Sequence, residues 1–307
     1  MIDFRDPEIQ DRAWVERAFR SSGNQGCEYS FATMFLWSAT YRQQVARLGD
    51  CVLERLHGPQ GPGYLFPAGT GPLEETLAAL EADAAQRGEP CRFFCVTPEQ
   101  KELLEAARPG RYYLEADRDG WDYLYQVDRL ASLAGKKLQA KRNHINRFTE
   151  RYPDWHVEEI TFDNLWECAQ LDLEWNRRYR SLDETSAEME AQARLDERHA
   201  ISKAFAHYQD LGLFGLLLRA EGEVLAFTMG SLINPETVDV HFEKAYGEIQ
   251  GAYPLINREF ARWIQERLPS VVWLNREDDM GLEGLRRSKE SYYPDKMVEK
   301  YLAVPAT

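Results

Sequence analysis

At 307 residues the chain is longer than one hydrophobic core usually organises and suits two domains. A composition of 44% hydrophobic and 29% charged residues is that of a folded globular protein, and a formal net charge of −14 excludes broad coating of nucleic acid, though not a local basic face. Five cysteines (Cys27, Cys51, Cys91, Cys95, Cys168) make an odd number without framework spacing, so buried thiols are expected rather than disulfides or a metal centre.

The N-terminus "MIDFRDPEIQ" lacks a basic and an apolar leader region, and no run approaches the roughly 18 apolar residues of a membrane span. The expected location is the cytoplasm. Residues 7–20 and 29–41 read as helices, the second very apolar. A hairpin follows, turning at Gly49-Asp50. Gly and Pro crowd into 57–72, predicting loops around a short strand. Residues 72–88 form an amphipathic helix stopped by Gly88. A buried strand over 91–97 leads to a helix opened by Pro98, then to strands at 111–116 and 122–127.

The second half repeats this rhythm. Residues 135–152 read as a basic amphipathic helix, 155–161 as a strand, 162–180 as a helix capped by Asp163, and 196–212 as a helix stopped by Gly212. A hairpin turning at Glu221-Gly222 precedes a strand over 238–245 and a helix over 252–269. An apolar strand, 271–274, then runs into the polar cluster Asn275, Arg276, Glu277, Asp278 and Asp279, before a helix over 281–293 and a last strand. The same order of elements twice predicts an α/β (α+β) protein of two similar domains, 1–130 and 131–307.

Charges on the tip of a buried strand are costly unless paired or used, so the 275–279 cluster marks the expected site. Alternation along "VDVHFEKA" puts His241 and Glu243 on one face, where either could accept a proton from an attacking group. Asn257, one turn into the next helix, could orient a substrate through its amide. Lys141 falls inside the stripe of Leu138, Ile145 and Phe148, with Arg142 at its edge, and Lys289 falls on the apolar face of the last helix beside Arg286. An inward lysine is costly unless it meets an anion or reaches a cleft. Asn275, Glu277 and Asp279 could hold an amine, with Asp279 also a candidate helix cap. No metal set is read from these acids.

The blocks "GKKLQAKRNHINRF", "HFEKA…GAYPLIN" and "NREDDMGLEGLRRSKESYYP" resemble the soluble family of unknown function related to the C-terminal domain of phosphatidylglycerol lysyltransferase. That family is similar to Fem-type peptidyl transferases, with tandem GNAT-like acyltransferase folds. The resemblance implies transfer of an acyl or aminoacyl group to an amine or hydroxyl, in a small molecule or lipid headgroup, with the site in the second domain. It places Lys289 near a leaving-group tyrosine of acetyltransferases, and Tyr292 one turn later. Acyl-CoA members carry Arg/Gln-x-x-Gly-x-Gly/Ala before the helix after the central strand. Here that window is 247–252, where Gln250, Gly251 and Ala252 stand but the glycine spacing is absent and Glu248 intrudes. Aminoacyl-tRNA is therefore the first expectation for the donor and acyl-CoA the second, with no resident cofactor implied. A non-catalytic module binding an anionic ligand is the alternative. The catalytic reading has Lys141 and Lys289 serving one anion pocket.

Overall fold

The computed structural model describes residues 1–180 and 188–306. Two compact units emerge: Met1–Leu124 together with the chain from Glu277 on, and Tyr125–Arg276. In the first, α1 (Arg12–Ser22) and α2 (Phe31–Tyr41) precede β1 (Gln44–Leu48), β2 (Cys51–Gly58), β3 (Gly61–Leu65) and β4 (Ala68–Gly69). Then come α3 (Leu73–Arg87), β5 (Phe93–Val96), α4 (Pro98–Ala107) and β6 (Tyr112–Ala116), with β7 (Asp122–Gln126) running across the boundary. The second unit holds α5 (Val127–Ser132), α6 (Gln139–Arg151), β8 (His156–Glu159), α7 (Leu165–Arg180), α8 (Glu188–Ala206), β9 (Phe214–Ala220), β10 (Glu223–Asn234), β11 (Thr237–Ala245), α9 (Ala252–Arg267) and β12 (Trp273–Asn275). The chain returns to the first unit with α10 (Glu283–Glu290), β13 (Lys296–Val298) and β14 (Tyr301–Pro305).

Local chemistry explains most of these boundaries. Ser30 accepts from the Thr33 N–H to start α2, and Thr97 with Gln100 forms a reciprocal capping box ahead of Pro98 in α4. Both expected hairpins form with two-residue turns, Leu48 pairing Cys51 and Ala220 pairing Glu223. Glu221 and Gly222 both take left-handed φ, the turn geometry that matches strand twist. The helix expected from Asp163 starts at Leu165. The last helix is shorter than expected, and its N-cap is Leu282, with no side-chain cap. Asp279 instead accepts from the Gly281 N–H at 2.9 Å, holding the turn before that helix.

The first unit's sheet runs β1-β2-β3-β5-β14-β6, with β4 also on β2, and β13 pairs the opening residues of β7. In the second unit the order is β8-β9-β10-β11-β12, with the end of β7 beyond β12. Each sheet contains a parallel pair bridged by a helix: β3 with β5 across α3, and β11 with β12 across α9. Antiparallel strands opening onto a parallel pair make each sheet GNAT-like, as the resemblance implied. The expected continuous halves, 1–130 and 131–307, differ from the observed units. Chain from Glu277 on leaves the second unit because β14 fills the place between β5 and β6.

Leu53, Tyr64, Leu77, Leu80, Phe93 and Leu104 anchor the first core. In the second, Ile256, Phe260 and Ile264 recur every four residues on the buried face of α9. Among the described residues, no helix is long and apolar enough to cross a membrane. The five cysteines are free thiols, four of them buried and Cys95 partly so.

Candidate functional site

The second unit's parallel pair is short. It ends at Asp239 opposite Asn275, while β11 continues to Ala245. His241 and Glu243 therefore line the stretch where β11 has lost its parallel partner. Glu243 accepts from Arg276 at 2.9 Å and from Asn257 Nδ2 at 3.2 Å. The Arg276 guanidinium lies 5.8 Å from the Tyr125 ring centre, so the ion pair is set against an aromatic wall. Both charged side chains are nearly buried, which makes the pair strong but costly to desolvate. His241 is hydrogen-bonded through Nε2 to Ser231 Oγ at 2.8 Å and faces Asp239 at 3.5 Å through Nδ1. Asn275 is fully buried at the end of β12.

Helix α6 brings Lys141 to the same group of charges. Burial, with Arg276 as the next cause, lowers its ammonium to about 8 against the partial support of Glu243. Arg142 turns back instead, donating to the carbonyls of Leu133 and Gly135, the latter at 2.7 Å. The turn before α9 is closed by the same helix. Gln250 is hydrogen-bonded to His144 at 2.9 Å. Gly251 sits at φ +95, where a Cβ would lie 2.3 Å from the His144 carbonyl oxygen. Glu248, unwelcome to an anion, is paired with Arg178 at 2.5 Å. Gln250 and Gly251, expected to bind donor, are thus engaged in holding α6 against α9.

Asp278, Asp279, Glu277, Arg286, Lys289 and Tyr292 belong to the first unit. Glu277 and Met280 take left-handed φ on either side of the two aspartates, a strained loop of the kind found at ligand sites. Asp279 is fully buried. Burial pushes its carboxyl up, but bonds from Arg286, Tyr123 and the Gly281 N–H outweigh that and hold it low. Arg286 binds Asp279 twice and reaches Asp119 at 2.6 Å. Asp279 and Arg286 are consumed by this knot. Lys289 is buried and donates to the Asp278 carbonyl. Tyr292 is a core residue at 3% exposure. Lys141 and Lys289, expected to serve one pocket, fall in different units.

Residues outside the expected set also matter. Arg276 stood in the polar cluster, yet nothing in the sequence pairs it with Glu243. Lys300 lies just before the apolar terminal strand β14, yet is only 1% exposed. Its ammonium contacts Asp122 at 2.6 Å and Glu28. Asp122, Glu28 and Cys27 cluster closely enough to ligate a cation. Lys300 supplies the positive charge there.

A family model described as "Phosphatidylglycerol lysyltransferase, C-terminal" matches residues 19–304. A conserved protein of unknown function from Bacteroides thetaiotaomicron is 37% identical, with a TM-score of 0.90 over 100% of both chains. L-PGS from Bacillus licheniformis is 16% identical, with a TM-score of 0.65 over 97% of this chain and 92% of that one. An acetyltransferase of the GNAT family from Colwellia psychrerythraea shares the fold at 9% identity, with a TM-score of 0.50 over 100% of each chain. An uncharacterized protein of Mycoplasmoides gallisepticum is 25% identical over 182 residues, 59% of this chain, and the match spans only 55% of that relative.

Proposed function

Given that the chain belongs to the family of phosphatidylglycerol lysyltransferase C-terminal domains, we propose that it transfers an acyl or aminoacyl group to an amine or hydroxyl acceptor at the open end of β11. The observation that carries this reading is the Glu243 carboxylate, fixed by Arg276 and Asn257 just past the last paired residues of β11 and β12. Glu243 takes the proton of the attacking amine or hydroxyl as the new bond to the acyl carbon forms. Charge then develops on the carbonyl oxygen, and fixed cations at that place lower the barrier more than mobile ones. Arg276 and the Lys141 ammonium are the cations within electrostatic reach of Glu243. The leaving oxygen or sulfur of the donor recovers the proton.

Aminoacyl-tRNA is the donor this reading favours. The turn before α9, where CoA users hold a pyrophosphate, is packed against His144 and carries the Glu248–Arg178 pair. Transfer of radiolabel from charged tRNA and from acetyl-CoA, each offered with amine and hydroxyl acceptors, tests the proposal. Glu243→Gln is expected to cut turnover by about a hundredfold or more while the unfolding midpoint stays within a few degrees. Wild-type rates in the variant, or no transfer from any donor, would refute it.

A further inference from the structure

Two polar atoms beside Glu243 are buried without a hydrogen-bond partner among the described residues: Thr228 Oγ1 and Asn257 Oδ1. Thr228 lies in β10 directly opposite Glu243 of β11. Opposed residues of an antiparallel pair present their side chains on one face, with Cβ atoms about 4.5–5.5 Å apart. Asn257 stands on the buried side of α9, and its Nδ2 donates to Glu243 Oε2 at 3.2 Å. Thr228 is fully buried and Asn257 is 3% exposed. An orphaned buried polar atom is costly, so two of them flanking one carboxylate demand a reason. All three residues belong to the second unit.

The two orphans differ in what satisfies them. A hydroxyl donates or accepts, so Thr228 suits almost any polar group. Asn257 is more selective. A carboxylate only accepts, so the amide nitrogen of Asn257 must face Glu243, and its oxygen is left needing a donor. Arg276 holds Glu243 Oε1 as Asn257 holds Oε2, and the carboxylate keeps lone pairs for one donor more. A nitrogen that gives one hydrogen to Glu243 therefore has Asn257 Oδ1 within reach of a second. A hydroxyl has one hydrogen only.

We infer that Asn257 makes the site selective for a primary amine over an alcohol as acceptor, its Oδ1 holding the second N–H of the attacking nitrogen. The inference rests on the acyl-transfer reading. The nitrogen lone pair forms the bond to the acyl carbon, and Glu243 takes one N–H proton. The bond from that carbon to the donor's leaving oxygen or sulfur breaks, and the leaving atom recovers the proton. The other N–H, held by Asn257, remains as the N–H of the amide product. An alcohol gives an ester, which has no hydrogen for Asn257 Oδ1. Sites that bond a substrate N–H reject analogues lacking it, because a polar group of the protein is then left unpaired.

Analogues of the two products test this without turnover. N-butylacetamide and butyl acetate are both uncharged and differ by an N–H in place of the ester oxygen. In NMR-monitored titration of the whole chain, the amide is expected to bind about tenfold more tightly than the ester, or better. Asn257→Leu, similar in volume, should bring that ratio near one, and Asn257→Ala gives the same readout should the leucine fail to fold. Thr228→Val should weaken both probes alike and keep the ratio. Equal binding in the wild type, binding of neither probe, or a preference retained in both Asn257 variants overturns the inference. Rates with butylamine and butanol, from charged tRNA or acetyl-CoA, are then compared as the ratio of variant to wild type, which cancels intrinsic reactivity. Transfer whose amine-to-alcohol ratio is unchanged in Asn257→Leu overturns the selectivity and leaves the transfer reading standing. Amide preference with no transfer to either acceptor keeps the N–H site and sinks the transfer reading.

Discussion

Lys141 shows what one side chain's surroundings decide. A solvated lysine stays charged past pH 10, but burial and Arg276 bring this one to about 8. In the proposed reaction its ammonium form stabilises developing negative charge, so that contribution is complete below about pH 8 and lost as pH rises through it. Lys141→Arg keeps a cation that does not titrate in this range. The ratio of variant to wild-type turnover is therefore expected to rise between about pH 7 and pH 9, and taking the ratio cancels the acceptor's own ionisation. A flat ratio would remove Lys141 from the charge-stabilising role. Its inward placement was legible in the sequence because the 100° helical step is a local property. Arg276 as the partner of Glu243 was not, since ion pairs between residues 33 apart in sequence follow from strand order, not from spacing.

Among the elements, the turns were the easiest to foresee. Gly49-Asp50 and Glu221-Gly222 carry their geometry in two residues each, and both hairpins form as expected. Gly251 illustrates the opposite case: it resembles a donor-binding glycine, yet its lack of a side chain serves contact with α6. Substitution separates the two demands. Gly222→Ala meets nothing within 4 Å and suffers only the left-handed strain of φ +81, about 1–2 kcal/mol. Gly251→Ala adds a Cβ 2.3 Å from a backbone oxygen, so its loss of stability in urea titration should exceed that of Gly222→Ala. Equal losses would mean that α6 shifts freely and does not hold the α9 turn.

At the level of the whole chain, the repeated order of elements gave the two similar sheets, but periodicity cannot say which strand a terminal segment joins. β14 pairs with both β5 and β6, contributing five residues in register with β6 from Tyr301–Ala116 to Pro305–Tyr112. A fragment ending at residue 130, the natural cut by sequence, lacks that strand and leaves two edges open in the middle of a sheet. Such a fragment should show neither cooperative unfolding nor dispersed amide resonances, and adding a peptide of residues 296–306 should restore some of both. A well-folded fragment 1–130 would show that β14 is dispensable. This placement also sets an order of events during synthesis. Strands β5 and β6 leave the ribosome early, yet the strand between them emerges only after residues 125–276 have all been made. The second unit can therefore close while the first is still waiting, and the earlier-born half of the protein is the last to be finished.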